Sequence, residues 1–382
     1  MKQIRIPAVF MRGGTSKGLM FQQAHLPEDR KDWDRIFLRA LGSPDPYGRQ
    51  LDGMGGGISS LSKVCIVGPS THPDADVDYT FAQILVKEAL VEYSALCGNM
   101  SSAVGPFAVD EGLIKAKDGQ VTVRIHNTNT KKIIASTFRV DDGQAAVDGE
   151  LVIPGVDGPG APVSLEFLDP GGATTGRLLP TGVTCELLEV PGMGQVEVSM
   201  IDASNACVFV KASTLGLTGT EMPDAIDANR HLMEQLSAIR LAASVKMGVA
   251  ANETEARRKT AVPFVGFVAE AKDATTLSGA AIPEANVDLI ARVISNGQPH
   301  RALPLGVSSC LAVAANIPGS VVNQVCRKER KGNDVRLSMP SGVLTVTAEV
   351  ESRDGVLRAV KGGFFRTQRR LFEGSVLIRS GN

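Results

Sequence analysis

Hydrophobic and polar residues form the same strand–turn–strand pattern in each half of the chain. In the first half, the apolar run 8–10 leads into the polar, glycine-rich segment 12–18 and then into a second apolar run at 19–21. In the second half, apolar 198–201 is followed by polar 202–205 and apolar 207–210. Short apolar runs separated by turn residues are typical of paired strands. Each half is therefore predicted to contain a hairpin.

The order of elements downstream is also shared by the two halves. Small polar residues after Gly98 and after Gly306 precede apolar runs that are long enough for helices. Strand-like segments follow them at 121–125 and 335–337. Two similar lobes facing each other would leave one cleft, with a helix N-terminus from each lobe aimed into it.

Three further segments complete the predicted organisation. The alternation over 78–86 indicates a half-buried strand, and 224–245, which lacks Gly and Pro, spaces its apolar residues as a helix does. The polar, glycine-rich segment 141–160 is predicted to be connecting structure. We place the lobe boundary near residue 186, giving lobes 1–186 and 187–382, and leave open a return of the last strands to the first lobe.

Composition excludes several functional classes. The 382 residues are too many for one ordinary core, and a net charge of -1 offers no basic excess for nucleic acid or a membrane surface. The first residues lack the apolar stretch of a signal peptide, and no uncharged run is long enough to span a bilayer. Six scattered cysteines form no disulfide framework or zinc motif, which favours a reducing cytoplasm. The composition leaves a homo-oligomer open.

Cys97 stands directly before Gly98 and Asn99, at the predicted start of the first helix. The free N–H groups and the positive dipole end of a helix N-terminus lower the pKa of a thiol placed there and attract anions. The sequence therefore predicts a proton-exchanging thiol at Cys97, with Gly98, Asn99, Met100 and Ser101 holding a substrate carboxylate. A buried structural cysteine at a tight turn is the alternative.

Gly14, Thr15 and Ser16 lie in a six-residue segment, 13–18, that also holds two other glycines and a lysine. Backbone N–H groups can approach a carboxylate closely where no side chain intrudes. The residue order matches neither a phosphate-binding P-loop nor a dinucleotide fingerprint. We therefore expect these three residues to bind substrate, with an ordinary hairpin turn as the alternative.

A second glycine-rich segment, 53–57, leads to Ser62 and Lys63, which precede the apolar strand 64–67. A lysine at the mouth of an apolar strand is partly removed from water, which allows it to act as a base. Lys63 is thus a candidate catalytic residue and Ser62 a candidate substrate ligand. A solvated surface lysine is the alternative.

The second half contains a matching polar cluster before its predicted helix. His300 and Arg301 are candidates to clamp a carboxylate, and Ser308 and Ser309 are expected to hold a second carboxylate at the helix start. A structural, hydrogen-bonding histidine is an equal alternative for His300. The histidines are not paired with carboxylates at metal-ligand spacing, so no metal is predicted.

These motifs together resemble the PrpF family over essentially the whole chain. The resemblance is carried by MRGGTSKG at 11–18, CGN at 97–99, LPTG at 179–182 and IPG at 317–319, together with 42–45, 52–53, 62–63, 76–79 and 104–108. Members of this family include 2-methylaconitate, 3-methylitaconate and 4-oxalomesaconate isomerases. The resemblance implies an α+β, diaminopimelate-epimerase-like fold of two pseudo-symmetric lobes, each an antiparallel sheet curled around a central helix, with the site in the cleft between them.

The resemblance also implies a cofactor-free isomerase acting on a small unsaturated di- or tricarboxylate. Its chemistry is a 1,3-allylic proton shift or a cis–trans isomerisation, with Cys97 and Lys63 as acid and base in an order that the sequence leaves open. Aligning Gly98 with Gly306 puts Leu305 opposite Cys97, so a second thiol is missing, and one thiol cannot serve both faces of a stereocentre. A non-catalytic tricarboxylate-binding or accessory protein, a cofactor-free racemase or epimerase, and a structural interaction module stay open.

Overall fold

The computed structural model describes residues 3–93, 96–259, 262–295, 297–330 and 332–379. The strands, numbered in chain order, are β1 Gln3–Gly13, β2 Ser16–Gln22, β3 Lys63–Pro69, β4 Val77–Ile84, β5 Val91–Glu92, β6 Gly119–Asn127, β7 Lys132–Asp141, β8 Gln144–Ala145, β9 Val163–Leu168, β10 Glu186–Val190, β11 Gly194–Ala203, β12 Asn205–Lys211, β13 Phe264–Glu270, β14 Ala274–Thr275, β15 Ala281–Ile282, β16 Leu289–Ser295, β17 Gln298–Pro299, β18 Asp334–Met339, β19 Gly342–Arg353, β20 Val356–Arg366 and β21 Gln368–Arg379. The helices are α1 Trp33–Leu41, α2 Gly98–Asp110, α3 Pro223–Ala228, α4 Arg230–Lys246, α5 Glu253–Arg258, α6 Leu305–Ala315 and α7 Val321–Val325.

The chain divides into two compact units. The first comprises Met1–Glu166 with Phe365–Asn382, and the second is Phe167–Phe364. The first unit thus ends before residue 186, because the segment after Glu166 is tied to the second unit: the Asp202 carboxylate on β11 accepts hydrogen bonds from the N–H groups of Thr174 and Thr175.

The first unit is built on a sheet in which neighbouring strands pair in the order β21, β1, β2, β3, β4, β6, β7 and β8. Helix α2 packs against β1, β2, β3, β6 and β7, and its residues from Met100 to Val109 are buried. Its small and apolar residues lie on all sides, as expected for a helix enclosed by a sheet. Helix α1 packs on the opposite face, where Val64 and Ile66 of β3 join its core cluster.

The second unit repeats this arrangement. Its strands pair in the order β10, β11, β12, β13, β16, β18, β19 and β20. Helix α6 is buried from Val307 to Ala315 and packs against β11, β12, β18 and β19. The internal repeat predicted from the sequence is therefore present in the fold.

Both sheets are mixed rather than antiparallel, which corrects one detail of the prediction. The pairs β2–β3 and β4–β6 are parallel in the first unit, and so are β12–β13 and β16–β18 in the second. Parallel neighbours need a crossover connection, and each of these four connections contains a helix: α1, α2, α3 to α5, and α6 with α7. The α+β class itself is confirmed.

Two predicted elements differ in detail. Strand β4 is buried on both faces. Helix α1 covers one face, and the other belongs to the side of the sheet on which α2 packs. The helical segment 224–245 is divided into α3 and α4 at Asn229, whose side chain accepts a hydrogen bond from the N–H of Leu232 and so caps α4. In the described residues, no helix is long and apolar enough to cross a bilayer.

Gly105 lies where α2 packs closely against β7. A Cβ atom at this position would lie 2.7 Å from Ser136 Oγ and 2.8 Å from Phe138 Cε1 on β7. We expect Gly105→Ala to lower the free energy of unfolding by about 1–3 kcal/mol, the usual cost of overpacking a core. Urea denaturation measures this, and adding Ser136→Ala should restore part of the loss. Equal stabilities of Gly105→Ala and the unmodified protein would contradict this packing.

Candidate functional site

Cys97 is the N-cap residue of α2. Its backbone is extended, with φ -101° and ψ 98°, and its half-buried Sγ accepts a hydrogen bond from the N–H of Met100 at 3.5 Å. Its carbonyl accepts both the N–H and the hydroxyl of Ser101, each at 3.0 Å. The thiol is thus held at the positive end of a helix, as the sequence predicted.

The carboxylate donors expected at this helix start need correction. The N–H groups of Met100 and Ser101 are engaged by Cys97, and both side chains are fully buried. Among the described residues, the N–H groups of Gly98 and Asn99 remain as the helix-end donors. A carboxylate at this helix start would therefore meet Gly98 and Asn99 rather than Met100 and Ser101.

Lys63 opens β3 and is 8% exposed, which excludes a solvated surface lysine. Its Nζ donates to Gln83 Oε1 at 2.6 Å and lies 5.1 Å from the centroid of the Phe81 ring. Its carbonyl is close to β2, because a Cβ on Gly18 would lie 2.5 Å from Lys63 O. The glycine at position 18 therefore permits the strand pairing that buries the lysine.

Cys97 and Lys63 both affect the pKa of one buried thiol, that of Cys65. Lys63 and Cys65 project from the face of β3 opposite to α1, where α2 packs. Burial raises the pKa of the Cys65 thiol; the hydrogen bond with Tyr79, at 3.6 Å, lowers it in part, Cys97 raises it and Lys63 lowers it. Both predicted catalytic side chains thus lie within electrostatic reach of the same sulfur atom.

The turn at Gly14 and Thr15 is fixed against the start of α2 by Asn99. The N–H of Thr15 donates to Asn99 Oδ1 at 3.4 Å, and Asn99 Nδ2 donates to Thr15 Oγ1 at 3.1 Å. Gly14 has φ 50°, and a Cβ there would lie 2.2 Å from Asn99 Oδ1. Ser16 is buried in the pair with Gly13, and Gly14 is buried as well, so Thr15 is the exposed residue of the loop.

Two arginines that were not predicted from the sequence lie beside the Gly14–Thr15 turn and the start of α2. Arg366 Nε donates to Asn99 Oδ1 at 3.0 Å, and Arg12 Nη1 donates to the carbonyls of Gly14 and Thr367 at 3.0 Å. Burial lowers the pKa of Arg366 to about 10, and burial with the charge of Arg369 lowers the pKa of Arg12. Two guanidinium groups therefore adjoin the turn and the helix start.

Ser62 supports the preceding loop rather than facing outward. It is fully buried, and its hydroxyl lies 2.6 Å from Gln50 Oε1 and 2.8 Å from the carbonyl of Ile58. Gln50 Oε1 also accepts the N–H of Gly57 at 2.9 Å. The expectation that the Ser62 hydroxyl binds substrate is therefore corrected, since that hydroxyl is used by the loop.

Ser308 and Ser309 lie in the first turns of α6 and are both fully buried. The N–H and hydroxyl of Ser308 donate to the carbonyl of Pro304 at 2.9 and 3.1 Å, and Ser309 Oγ accepts from Ser204 Oγ at 3.2 Å. The donors left at this helix start are the N–H groups of the three preceding positions, 305–307. The expected use of both serines as carboxylate ligands is corrected in the same way as in α2.

The repeat also identifies the residue of the second unit that corresponds to Cys97. Ser308 bonds back to Pro304 as Ser101 does to Cys97, so the counterpart of Cys97 is Pro304 rather than Leu305. Cys310 is buried within α6, and its thiol donates to the carbonyl of Ile201 at 3.6 Å. The second unit therefore has no thiol at its described helix start.

His300 and Arg301 lie near β17 in the second unit. Arg301 Nη2 pairs with Asp224 Oδ1 at 2.6 Å in an exposed ion pair. Burial lowers the pKa of His300, and its ring lies 6.3 Å from that of Phe264. Neither side chain is shown to be a carboxylate clamp, and that role stays a prediction.

A metal centre is not formed by the residues that the structure describes, since no group of three or more His, Cys, Asp or Glu side chains could hold an ion. The chemistry that Cys97, Lys63 and the nearby donors can perform is proton transfer beside a bound anion.

Known proteins match this chain along nearly its full length. A family model described as PrpF protein matches residues 3–379. A 3-methylitaconate isomerase from Eubacterium barkeri is 43% identical, and a 2-methyl-aconitate isomerase from Cupriavidus necator is 39% identical, each alignment covering 98% of both chains. The crystal structure of a methylitaconate-delta-isomerase superposes with a TM-score of 0.92 at 43% identity, covering 99% of this chain and 96% of that one. The epimerase-like α+β fold expected from the sequence is confirmed.

Proposed function

Because the chain belongs to the PrpF family, we propose that it is an isomerase that moves a carbon–carbon double bond in an unsaturated di- or tricarboxylate without a cofactor. The substrates that fit this class are 3-methylitaconate, 2-methylaconitate and 4-oxalomesaconate. The observation that carries the proposal is the placement of a helix-capping thiol, Cys97, and a buried amine, Lys63, around the same sulfur atom.

The reaction requires two proton transfers. One of the two groups removes a proton from the allylic carbon, and the C–H electron pair moves into the adjacent π system, placing negative charge on the carboxylate oxygens. A proton is then delivered to the carbon two positions away, which restores the original charge of the polycarboxylate and leaves its double bond shifted. Either Cys97 or Lys63 can start this sequence, and each ends in its original protonation state after one turnover and proton exchange with solvent.

The intermediate needs fixed donors for its negative charge. The N–H groups of Gly98 and Asn99 at the start of α2 are suited to this role, and the loss of one such donor typically costs about 2.7–4 kcal/mol of transition-state stabilisation. We place a substrate carboxylate there, beside the Thr15 turn and the guanidinium of Arg366. Binding by His300 or Arg301 is a separate prediction.

A racemase or epimerase is the second candidate, and Pro304 disfavours its two-thiol form. In the repeat, Pro304 occupies the position that Cys97 has in the first unit, and a proline cannot exchange a proton. The non-catalytic alternative predicts that tricarboxylates bind without proton exchange.

The proposal is tested by incubating the protein with each of the three acids in deuterated water. We expect deuterium to enter the allylic carbons of at least one acid and the isomer with the shifted double bond to appear, both followed by proton NMR. Ligand-induced stabilisation without exchange would favour a binding protein. Exchange at the α-carbon of a chiral amino or hydroxy acid, with none of the three acids turned over, would favour the racemase.

All six cysteines are free, which supports a reducing compartment, and we propose the cytoplasm. Assembly into a homo-oligomer is a further prediction, and gel filtration with light scattering tests it.

A further inference from the structure

The buried amine of Lys63 is held by an uncharged group. Its Nζ lies 2.6 Å from Oε1 of Gln83, which stands directly opposite Lys63 in the β3–β4 register. In the described part of the chain, Lys63 forms no ion pair with a carboxylate. A buried lysine normally has a carboxylate partner or loses its proton, so the neutral partner is a distinctive feature of this residue.

The orientation of the Gln83 amide is fixed by its other end. Nε2 donates to the carbonyls of Ser59 and Ser62, each at 3.0 Å. These two acceptors require the NH2 group on that side, so the carbonyl oxygen faces Lys63. An amide oxygen accepts a hydrogen bond from an ammonium group and equally from a neutral amine. Gln83 can therefore hold Lys63 in either protonation state.

The groups near Lys63 on its own and neighbouring elements are mostly uncharged side chains. Cys65 on the same strand and Phe81 on β4 lie near Lys63, and Tyr79 and Cys97 adjoin Cys65. The centroid of the Phe81 ring lies 5.1 Å from Lys63 Nζ.

Two charged side chains on neighbouring strands complete these surroundings. Lys17 is on the other face of β2, over the Phe10 ring. Glu92 on β5 pairs with Gln83 in the strand register. Among the described residues, the hydrogen bond of the Lys63 amine is to the Gln83 carbonyl.

We propose that Gln83 is a positioning residue that keeps the proton of Lys63 exchangeable. It fixes the amine beside the reacting thiol without adding a negative charge that would hold the ammonium form. A carboxylate at the same place would bind the ammonium form more tightly than the amine and so keep Lys63 from acting as a base. This inference rests on the proposed function and assigns to Lys63 the role of the base, which loses and regains a proton in each turnover.

Gln83→Glu tests the proposal because it changes one amide nitrogen to oxygen at nearly constant size. The ascending limb of the pH profile of kcat/KM should move upward by about 1–3 pH units, the usual effect of an adjacent opposite charge. Below that limb, the rate of the variant should be about tenfold lower for each pH unit by which the limb moves. At high pH it should approach the unmodified rate. Gln83→Met, which has no acceptor and no charge, should lower the rate without moving the limb to higher pH.

A readout that does not depend on activity is the pH titration of the Lys63 13Cε resonance, assigned by its loss in Lys63→Ala. In Gln83→Glu this titration should move upward together with the rate profile. Gln120→Glu, which adds the same charge at an exposed position on β6, is the matched control and should leave both curves unchanged. Melting temperatures show whether each variant folds.

Two outcomes would overturn the proposal. One is an unshifted 13Cε titration in folded Gln83→Glu; the other is an equal loss of rate at every pH in both Gln83 variants, which describes a merely structural residue. Failure of the proposed function is a different result: Lys63→Ala would then turn over the three acids normally, or the unmodified protein would turn over none of them. The 13Cε titration distinguishes these cases because it needs no substrate.

Discussion

Cys97→Ser is expected to slow deuterium incorporation about 100-fold or more while leaving the fold intact. A hydroxyl holds its proton far more tightly than a thiol, so serine cannot exchange a proton with the allylic carbon near neutral pH. Serine is also a preferred N-cap residue, and its oxygen can accept the N–H of Met100 in place of sulfur. The variant therefore removes the acid–base group and keeps the helix start.

The matched control is Cys185→Ser, which replaces a half-buried thiol of the second unit. We expect its exchange rate to stay within about twofold of the unmodified protein. Exchange is followed by proton NMR and folding by thermal denaturation. If Cys97→Ser keeps its full exchange rate, the assignment of Cys97 as a proton-transfer group is wrong.

Local patterns along the chain were sufficient to predict much of the fold. The hairpins of β1 with β2 and of β11 with β12 follow from short apolar runs around polar turns. The start of α2 at Cys97 and the start of β3 at Lys63 follow from the residues that flank them. The same succession of antiparallel and parallel pairs in both units supports the internal repeat on which the fold prediction depended.

The predictions that serines at the starts of α2 and α6 bind carboxylates were wrong for one physical reason. A serine in the first turn of a helix can bond back to the carbonyl four residues earlier, which occupies its hydroxyl. Ser101 and Ser308 both do so, and their N–H groups go to the same carbonyls. A sequence shows that a serine stands near a helix start, but the exact first residue of the helix decides which N–H groups stay available.

The residues that the sequence analysis missed are those joined by long-range pairing. Arg366 reaches Asn99 only because the end of the chain returns to the first unit. Gln83 reaches Lys63 through the register of β3 with β4. A polar residue in the predicted strand 78–86 was the available signal for Gln83, since a lysine buried at a strand end needs an acceptor. The register itself depends on packing that the sequence pattern does not specify.

Divergence between the two halves explains why one unit carries the proposed chemistry. The first unit has a thiol at its helix start and a buried amine on the adjacent strand. The second has Pro304 at the corresponding helix position and Phe264 where the strand begins. The repeat has kept the helix and the mixed sheet in both units, whereas the proposed acid–base pair lies in the first.

Lys63→Met is expected to abolish proton exchange to the same degree as Cys97→Ser, about 100-fold or more, at every pH tested. Methionine fills a similar volume without a titratable group, so raising the pH cannot restore the rate. Since the partner of Lys63 is a neutral amide, the substitution leaves no buried charge unpaired, although Gln83 Oε1 loses its donor. The melting temperature should therefore fall by only a few degrees, and loss of activity can be separated from unfolding.

Lys63→Arg is the second arm of this experiment, because it keeps the positive charge but cannot be deprotonated in the accessible pH range. We expect it to be as inactive as Lys63→Met if proton transfer is the role of the lysine, and to keep substantial activity if charge alone is required. Lys87→Met, at an exposed position between β4 and β5, is the control for loss of a lysine. An active, folded Lys63→Met protein would mean that Cys97 works with a different partner, and the shared influence of the two side chains on Cys65 would then be structural.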